Sequence, residues 1–224
     1  ISEIPVFASM WNMDGLILMG FCEADYEKLR NQMRISFVVY DGYFEKCSKV
    51  VNLVINHYDG GYQAGKYFKE LGHKKALCIS DNYICMDKER IDGFCEAFAP
   101  GETLIWQIPN TEKERAHFYQ EKLSDFLSCN VTAIFAVSDY YALDFMRFLQ
   151  GRGVQFPQDM QIIGFDDNMA SRESSPALTT IHQDASLRAK TAIECIEAMR
   201  DGRNCDAEIT LPVELIKRES TRKL

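Results

Sequence analysis

Short apolar or β-branched runs bounded by turn residues recur along this chain, and most are followed by a segment with helical spacing. The runs predict strands at Leu16–Met19, Phe37–Tyr40, Leu53–Ile55, Lys75–Ser80, Thr103–Gln107, Ala133–Val137 and Gln161–Phe165. Most are continuously apolar rather than alternating, the mark of strands covered on both faces in a parallel sheet. Between them Ile91, Phe94, Cys95 and Phe98 fall at i, i+3, i+4 and i+7, as do Ala142, Phe145, Met146 and Leu149, and Ala189, Ala192, Ile193 and Ile196 repeat the pattern. Repeated βα units of this kind predict a doubly wound, mostly parallel α/β architecture. Gly72 follows one helix as a left-handed cap, Asp139 precedes another as an N-cap, and Gly151 and Gly153 close that helix. Ile209–Arg218 lacks helical spacing and suits a final strand added to an existing sheet. No Pro, Gly or Ser-rich linker and no internal repeat interrupts the pattern, so lobes, if there are two, are tightly joined.

Composition narrows the class. With 224 residues, 46% apolar and 26% charged, the chain is an ordinary globular one, large enough for one core or two lobes, and neither disordered nor collagen-like. Its 25 Lys and Arg stand against 33 Asp and Glu, a formal charge of -8 that repels phosphate backbones and anionic lipid. Any DNA-binding part is therefore expected outside this chain. The longest apolar stretches, Gly15–Cys22 and Val50–Ile55, fall far short of the roughly 20 residues a membrane helix needs. Residues 1–13 show no secretory signal, so the cytoplasm is the expected compartment. Eight cysteines (Cys22, Cys47, Cys78, Cys85, Cys95, Cys129, Cys195 and Cys205) form no C-x-x-C pair and meet no histidine at zinc-like spacing. Most are expected as free thiols, with Cys78 and Cys195 acting as small buried hydrophobes, and no metal is expected.

Candidate chemistry is sparse. The chain has no G-x-S-x-G elbow, H-E-x-x-H helix or phosphate-binding G-x-x-x-x-G-K-[ST] loop, and no cofactor is expected. Gly60-Gly61-Tyr62-Gln63-Ala64-Gly65 lacks the G-x-G spacing and the following lysine of a phosphate cradle, so close backbone packing is the better reading. Ser138-Asp139 and Asp166-Asp167 follow predicted strands, where ligands of open α/β sheets bind. A carboxylate there accepts two hydroxyl hydrogen bonds, as a sugar or polyol requires. For Asp139, helix capping and ligand binding stand about equal; for Asp166, whose following sequence is not clearly helical, ligand binding is favoured. Spacing alone makes Arg90 a solvated helix charge, although its guanidinium lies within reach of the same rim. His57, His73, His117 and His182 show no ligand spacing and are assigned no chemistry.

Six stretches taken together resemble the effector-binding core of the lactose-repressor (LacI/GalR) family of bacterial transcription regulators. They are HYDGGYQAGKYFKELGHKKALCIS from His57, ERIDGF from Glu89, AIFAVSDYYAL from Ala133, MQIIGFDD from Met160, SPALTTIHQD from Ser175 and LPVELIKREST from Leu211, in register over about residues 14–221. The resemblance implies a two-lobed, periplasmic-binding-protein-like fold, each lobe a mostly parallel sheet flanked by helices, with a small-molecule effector between lobes joined by three crossovers. It implies lobes at residues 1–55 plus 183–206 and 56–182 plus 207–224. It also implies that Arg90 hydrogen-bonds the effector, reversing the reading from spacing, with Asp166 as carboxylate partner. Ser138 and Asp139 match a pair bordering the ligand, and Asp41, ending the run FVVY, matches an aspartate near the cleft.

The sequence departs from the family pattern in several places. Family members begin this domain with a further strand-helix-strand segment, so the first lobe is expected to be N-terminally incomplete, and a helix-turn-helix headpiece is expected outside these 224 residues. Asp144 stands where the family usually has glycine, and Ala99–Gln107 is short. The resemblance implies no enzyme but the ligand-sensing domain of a transcription regulator: a sugar or related polar effector sets the lobe angle and so controls DNA binding by a homodimer through a headpiece outside this chain. An alternative sharing the fold is the solute-binding protein of a sugar transporter, which free cysteines and the LPVELIKREST ending argue against. A small α/β enzyme using Asp139 or Asp166 as base is a third reading, without a nucleophile or cofactor fingerprint behind it.

Overall fold

The computed structural model describes residues 13–19, 36–42 and 49–223. The chain divides into two compact units, Ile1–Asn56 with Asp184–Pro212, and His57–Gln183 with Val213–Leu224. In the first, strands β1 (Gly15–Met19), β2 (Ser36–Tyr40), β3 (Val50–Ile55) and β9 (Glu208–Leu211) form a parallel sheet in the order β1-β2-β3-β9. Every residue of β2 is buried, as its unbroken apolar run requires. Helix α6 (Ala185–Arg200) packs on β1, β2 and β3.

The second unit carries a six-stranded sheet, ordered β10 (Val213–Ile216), β8 (Thr179–Gln183), β7 (Gln161–Asp166), β6 (Ala133–Ala136), β4 (Lys75–Ser80) and β5 (Glu102–Gln107). All pairs are parallel except β10 with β8. Side chains alternate between its faces. Leu77, Ile79, Ile134, Ala136 and Ile162 meet Tyr119 and Phe126 of α3 (Glu112–Ser128) and Phe145, Met146 and Leu149 of α4 (Asp139–Gln150) in one core cluster. From the opposite face Phe135 stacks on Phe94 of α2 (Cys85–Phe98), centroids 5.0 Å apart and rings 4° from parallel. Burying such a ring contributes about 1.5–3 kcal/mol, so these stacks fix where α2 lies.

Helix α1 (His57–Leu71) packs against α2 backbone to backbone. A Cβ at Gly61 would lie 1.8 Å from the Arg90 carbonyl oxygen, one at Gly65 2.3 Å from that of Phe94, and one at Gly93 2.1 Å from that of Tyr58. The glycine-rich run is thus a helix-packing seam, as its spacing predicted, and not a phosphate cradle. On its other side α1 covers the β10 edge: the Gln63 side chain donates to the Val213 carbonyl (3.0 Å) and accepts from the Leu215 amide (3.0 Å), standing in for a neighbouring strand.

Several expectations change. The stretch Ile209–Arg218 is two strands in two sheets, broken at Pro212, and because β9 pairs with β3, residues 207–212 belong to the first unit rather than the second. Strand β8 was not predicted, since its sequence TTIHQ is short and largely polar. The N-cap of α4 is Ser138, whose Oγ accepts from the Tyr141 amide (3.3 Å); Asp139 is the first helical residue. On α6 the buried residues are Arg188, Ala192, Cys195 and Ala198, whereas Ile193 is exposed; the arginine at the head of that stripe hid its period. Gly72 (φ 96) takes the left-handed cap conformation, and after α4 that role falls to Gly153 (φ 88).

The described cysteines, Cys78, Cys85, Cys95, Cys129, Cys195 and Cys205, are free; Cys22 and Cys47 lie outside the described residues. Asp144 accepts from the fully buried Arg115 (2.8 Å), whose guanidinium also donates to the Asn110 carbonyl (2.6 Å) and the Tyr140 hydroxyl (2.7 Å). That pair ties α3 to α4 where a glycine would leave the cation uncompensated.

Candidate functional site

In the second unit the chain steps outward from β4 to the edge strand β5, then returns across β4 to β6. This reversal makes the carboxyl ends of β4 and β6 a topological switch point, the place where open parallel sheets bind ligands. Arg90, in the second turn of α2, reaches into that end of the sheet. Its Nη1 donates to the carbonyl of Val137, directly after β6, its Nε donates to His57 Nδ1 (3.1 Å), and its guanidinium lies 3.8 Å from the centre of the Phe165 ring of β7. A guanidinium only donates, so His57 Nδ1 is the acceptor and the ring carries its proton on Nε2. The arginine is 9% exposed, held flat by a ring and two acceptors.

Around it the strand ends supply polar groups. After β4, the Ser80 hydroxyl (2.9 Å) and the Asn82 amide (3.0 Å) both donate to Asp87 Oδ2 in the first turn of α2. Burial pushes the Asp87 carboxyl up, and these bonds and Arg90 oppose the shift. After β7, Asp166 and Asp167 both take positive φ, 122° and 56°. Asp166 is half-buried and accepts from Gln183 Nε2 at 2.8 Å. Asp167 points the other way chemically: it accepts from Arg172 (2.9 Å), His182 (2.9 Å) and Arg218. Burial alone would raise its carboxyl, but the bonds from Arg172 and Arg218 outweigh that and hold it low. Asp167 is a strut joining β7, α5 (Met169–Glu173), β8 and the C-terminal segment, and Asp166 is the aspartate turned to the rim.

Asp139 is fully buried, with Thr180 Oγ1 donating to Oδ1 (2.5 Å) and the Asn168 amide to Oδ2 (2.9 Å). Burial pushes its carboxyl up to about 6. Gly164 leaves room for it, since a Cβ there would lie 2.3 Å from Oδ1. Ser138 is half-buried and caps α4. The structure therefore gathers Arg90, Ser138, Asp139 and Asp166 at one end of one sheet, with Val137 and Phe165, the residues just before Ser138 and Asp166, as the arginine's own contacts. Asp41 lies in the first unit at the carboxyl end of β2, where it accepts from Arg188 at 2.7 Å.

Sequence reasoning passed over His57, Asp87, Gln183 and Arg188. A histidine opening a helix carries no spacing signal, because its partner Arg90 lies 33 residues away, and Asp87 was hidden because only the turn between β4 and α2 brings it back to Ser80 and Asn82. Among the described residues no group of three or more His, Cys, Asp or Glu is placed to hold a metal, and no helix is long and apolar enough to cross a membrane.

Comparison with known proteins places this geometry in context. The model of the periplasmic binding protein-like domain matches residues 66–221. The HTH-type transcriptional repressor PurR of Vibrio cholerae is 29% identical over 222 residues, which cover 95% of this chain and 65% of that protein. The HTH-type transcriptional regulator DegA of Bacillus subtilis is 33% identical over 180 residues, 77% of this chain and 52% of that one. The chain thus spans less than two thirds of the length of these relatives. Among solved structures, a periplasmic binding protein/LacI transcriptional regulator from Alkaliphilus metalliredigens complexed with D-xylulofuranose superposes with a TM-score of 0.81 at 27% identity, covering 97% of this chain and 80% of that one. A LacI family regulator from Enterococcus faecalis with bound ribose gives 0.79 at 26% identity, covering 96% and 79%.

Proposed function

We propose, because the chain belongs to the periplasmic binding protein-like domain family in the form carried by LacI-family regulators, that it is the effector-sensing part of a cytoplasmic transcription regulator. The effector is a small polar molecule, a sugar in the first instance, and DNA is contacted by a headpiece outside residues 1–224, with the regulator acting as a homodimer. One observation carries the reading: a buried guanidinium stacked on Phe165 at the carboxyl end of a parallel sheet, with Asp166 at positive φ next in sequence to that ring. The pair offers a planar donor fork and a two-lone-pair acceptor, the complement of neighbouring hydroxyls. Ser138 adds a hydroxyl at the same rim. Asp139 acts by holding α4 to β8 rather than by touching ligand, since it is fully buried and each of its oxygens accepts a bond within the protein. Signalling needs an effector that binds one of two conformational states more tightly, because equal affinity shifts no equilibrium.

Thermal unfolding against pentoses, hexoses, sugar phosphates and purines tests this, with Arg90→Met alongside. Ligand at 100 times its Kd adds about 2.7 kcal/mol, a rise of about 5–11 °C in a chain of this size. The expected result is a response to one class that Arg90→Met abolishes. A chain that unfolds cooperatively yet responds to none of them, or an Arg90→Met variant that responds as the parent does, overturns the assignment.

A further inference from the structure

Two cysteines meet where α2 packs on the sheet of the second unit. Alternation along β4 sends Leu77 and Ile79 into the core cluster with α3 and α4, so Ala76 and Cys78 point to the α2 side. On the edge strand β5, Thr103 stands opposite Ala76 and shares that side. Cys95 lies on α2 beside Phe94, whose ring stacks on Phe135 and holds the helix against the sheet. The Cys78 thiol hydrogen-bonds the Cys95 sulfur, and the Thr103 hydroxyl bonds it as well. Cys78 is fully buried, whereas Cys95 is half-buried above the edge of the sheet. Burial pushes the Cys78 thiol well up, so it keeps its proton. The bond from Cys78, helped by Thr103, brings the Cys95 thiol down to about 7 against burial and the nearby Asp92 carboxylate.

We propose that Cys95 and Cys78 form a hydroperoxide-oxidised pair, in which Cys95 is the attacking sulfur and Cys78 the resolving one. The Cys95 thiolate attacks one peroxide oxygen: an S–O bond forms, the O–O bond breaks, and the other oxygen leaves with a solvent proton as an alcohol or water. The Cys78 sulfur then attacks the sulfenic sulfur of Cys95. An S–S bond forms, the S–O bond breaks, and the hydroxyl departs as water with the Cys78 proton. The two thiols lose two electrons and the peroxide gains them. Ionisation and access assign the roles. At pH 7 a thiol of pKa about 7 is about half ionised, against about 3% for an ordinary one near 8.5. The half-buried position of Cys95 admits a small oxidant, and the buried Cys78 is reached only through the Cys95 sulfur it touches. Cys195 and Cys205 also touch, but burial and Cys205 push Cys195 up to about 12, so the buried member of that pair is no nucleophile at neutral pH. The Cys78–Cys95 bond ties β4 to the helix that carries Asp87 and Arg90. It stands on sulfur contacts within one unit and does not depend on which effector binds.

Treating the reduced 224-residue chain with hydrogen peroxide at pH 7, followed by peptide mapping, tests the pair. The expected product is a cross-linked peptide joining Cys78 to Cys95, about 2 Da lighter than the two thiols and restored by dithiothreitol. In Cys78→Ala the expected product is instead a Cys95 sulfenic acid captured by dimedone, and in Cys95→Ser the Cys78 thiol is expected to survive. Iodoacetamide labelling of Cys95 is expected to be half-maximal near pH 7 in the parent and at higher pH in Cys78→Ala, a shift that a purely structural cysteine would not show. Unfolding midpoints check that the variants fold, and the parent's own cross-link and labelling profile carry the test if they do not. A Cys95 left reduced, a Cys95 sulfinic acid beside an unreacted Cys78, or a parent labelling midpoint at the ordinary thiol value of about 8.5 overturns the proposal.

Discussion

Replacing Gly61 by alanine brings a methyl carbon to 1.8 Å from the Arg90 carbonyl oxygen, 2.7 Å from its carbonyl carbon and 3.0 Å from its Cα. Ordinary contact needs about 3.5 Å, so α1 and α2 must separate locally by about 1.5 Å or more. All three atoms are helical backbone, which has no rotamer to turn away. The neighbouring approaches at Gly65 and Gly93 leave no slack along the seam. Overpacking of this kind costs about 1–3 kcal/mol and occasionally more. The shift also carries Arg90 out of reach of His57 Nδ1, now at 3.1 Å, and a hydrogen bond to a charged group is worth about 1.5–3 kcal/mol. Alanine recovers about 1 kcal/mol of helix propensity. The balance is a loss of about 1.5–5 kcal/mol, or about 3–20 °C in unfolding midpoint for a chain this long. Gly151→Ala is the control: its Cβ would meet only the Arg147 and Phe148 carbonyls at 3.5 and 3.6 Å, with φ at -61, and it is expected to melt within about 2 °C of the parent. Thermal and urea unfolding of both variants gives the comparison. A Gly61→Ala variant as stable as Gly151→Ala would refute the idea that this seam sets the position of Arg90.

Three further outcomes follow from buried charges. Asp144→Ala leaves Arg115 fully buried without its anion and is expected to lose about 3–5 kcal/mol in urea unfolding, whereas Arg115→Met with Asp144→Leu recovers most of it; equal losses in both would contradict the pairing. Asp139, pushed up to about 6 by burial, binds its proton more tightly folded than unfolded, so its contribution to stability falls as pH rises from about 4 to about 6, by about 3 kcal/mol in total. Asp139→Asn removes that slope, and a difference between variant and parent that stays constant from pH 4 to 7 would show the carboxyl is not shifted. Asp167 has the opposite sign: held low by Arg172 and Arg218, it stabilises the fold above the ordinary carboxylate range and the contribution is lost as pH falls through its depressed value, so Asp167→Asn is expected to be most destabilising near neutrality and least in acid.

Much of the fold was legible because its strands are buried on both faces. Lys75–Ser80 could be bounded to the residue from an apolar run ending in serine and aspartate, and the α4 face of Ala142, Phe145, Met146 and Leu149 is buried throughout. What the periodicity could not reveal is where charge has been taken inside. Arg188 occupies the buried stripe of α6, so counting apolar residues selected the exposed Ile193 instead. Arg115 and Asp144 lie 29 positions apart and become one unit only through packing of α3 on α4. At the site, the residues at or just beyond strand ends, Asp41, Ser138 and Asp166, were readable from the turn that follows each strand. Arg188 and Gln183, which bond Asp41 and Asp166, and His57, which bonds Arg90, were not, since each comes from a different element.

The C-terminal segment has a consequence for how this protein is made. Ser220 Oγ donates to the Ile162 carbonyl (2.6 Å) and accepts from the Thr179 amide (2.8 Å), Thr221 bonds Thr179 (2.8 Å), and Arg218 ties down Asp167. The inner strands β7 and β8 therefore receive their closing bonds from residues translated some forty to sixty positions later. The first unit waits in the same way for β9 to reach β3. Neither sheet is complete until these late residues have been made, and a premature stop between residues 213 and 220 leaves the first unit's sheet whole but strips β7 and β8 of their closing bonds, with their edges to be satisfied elsewhere.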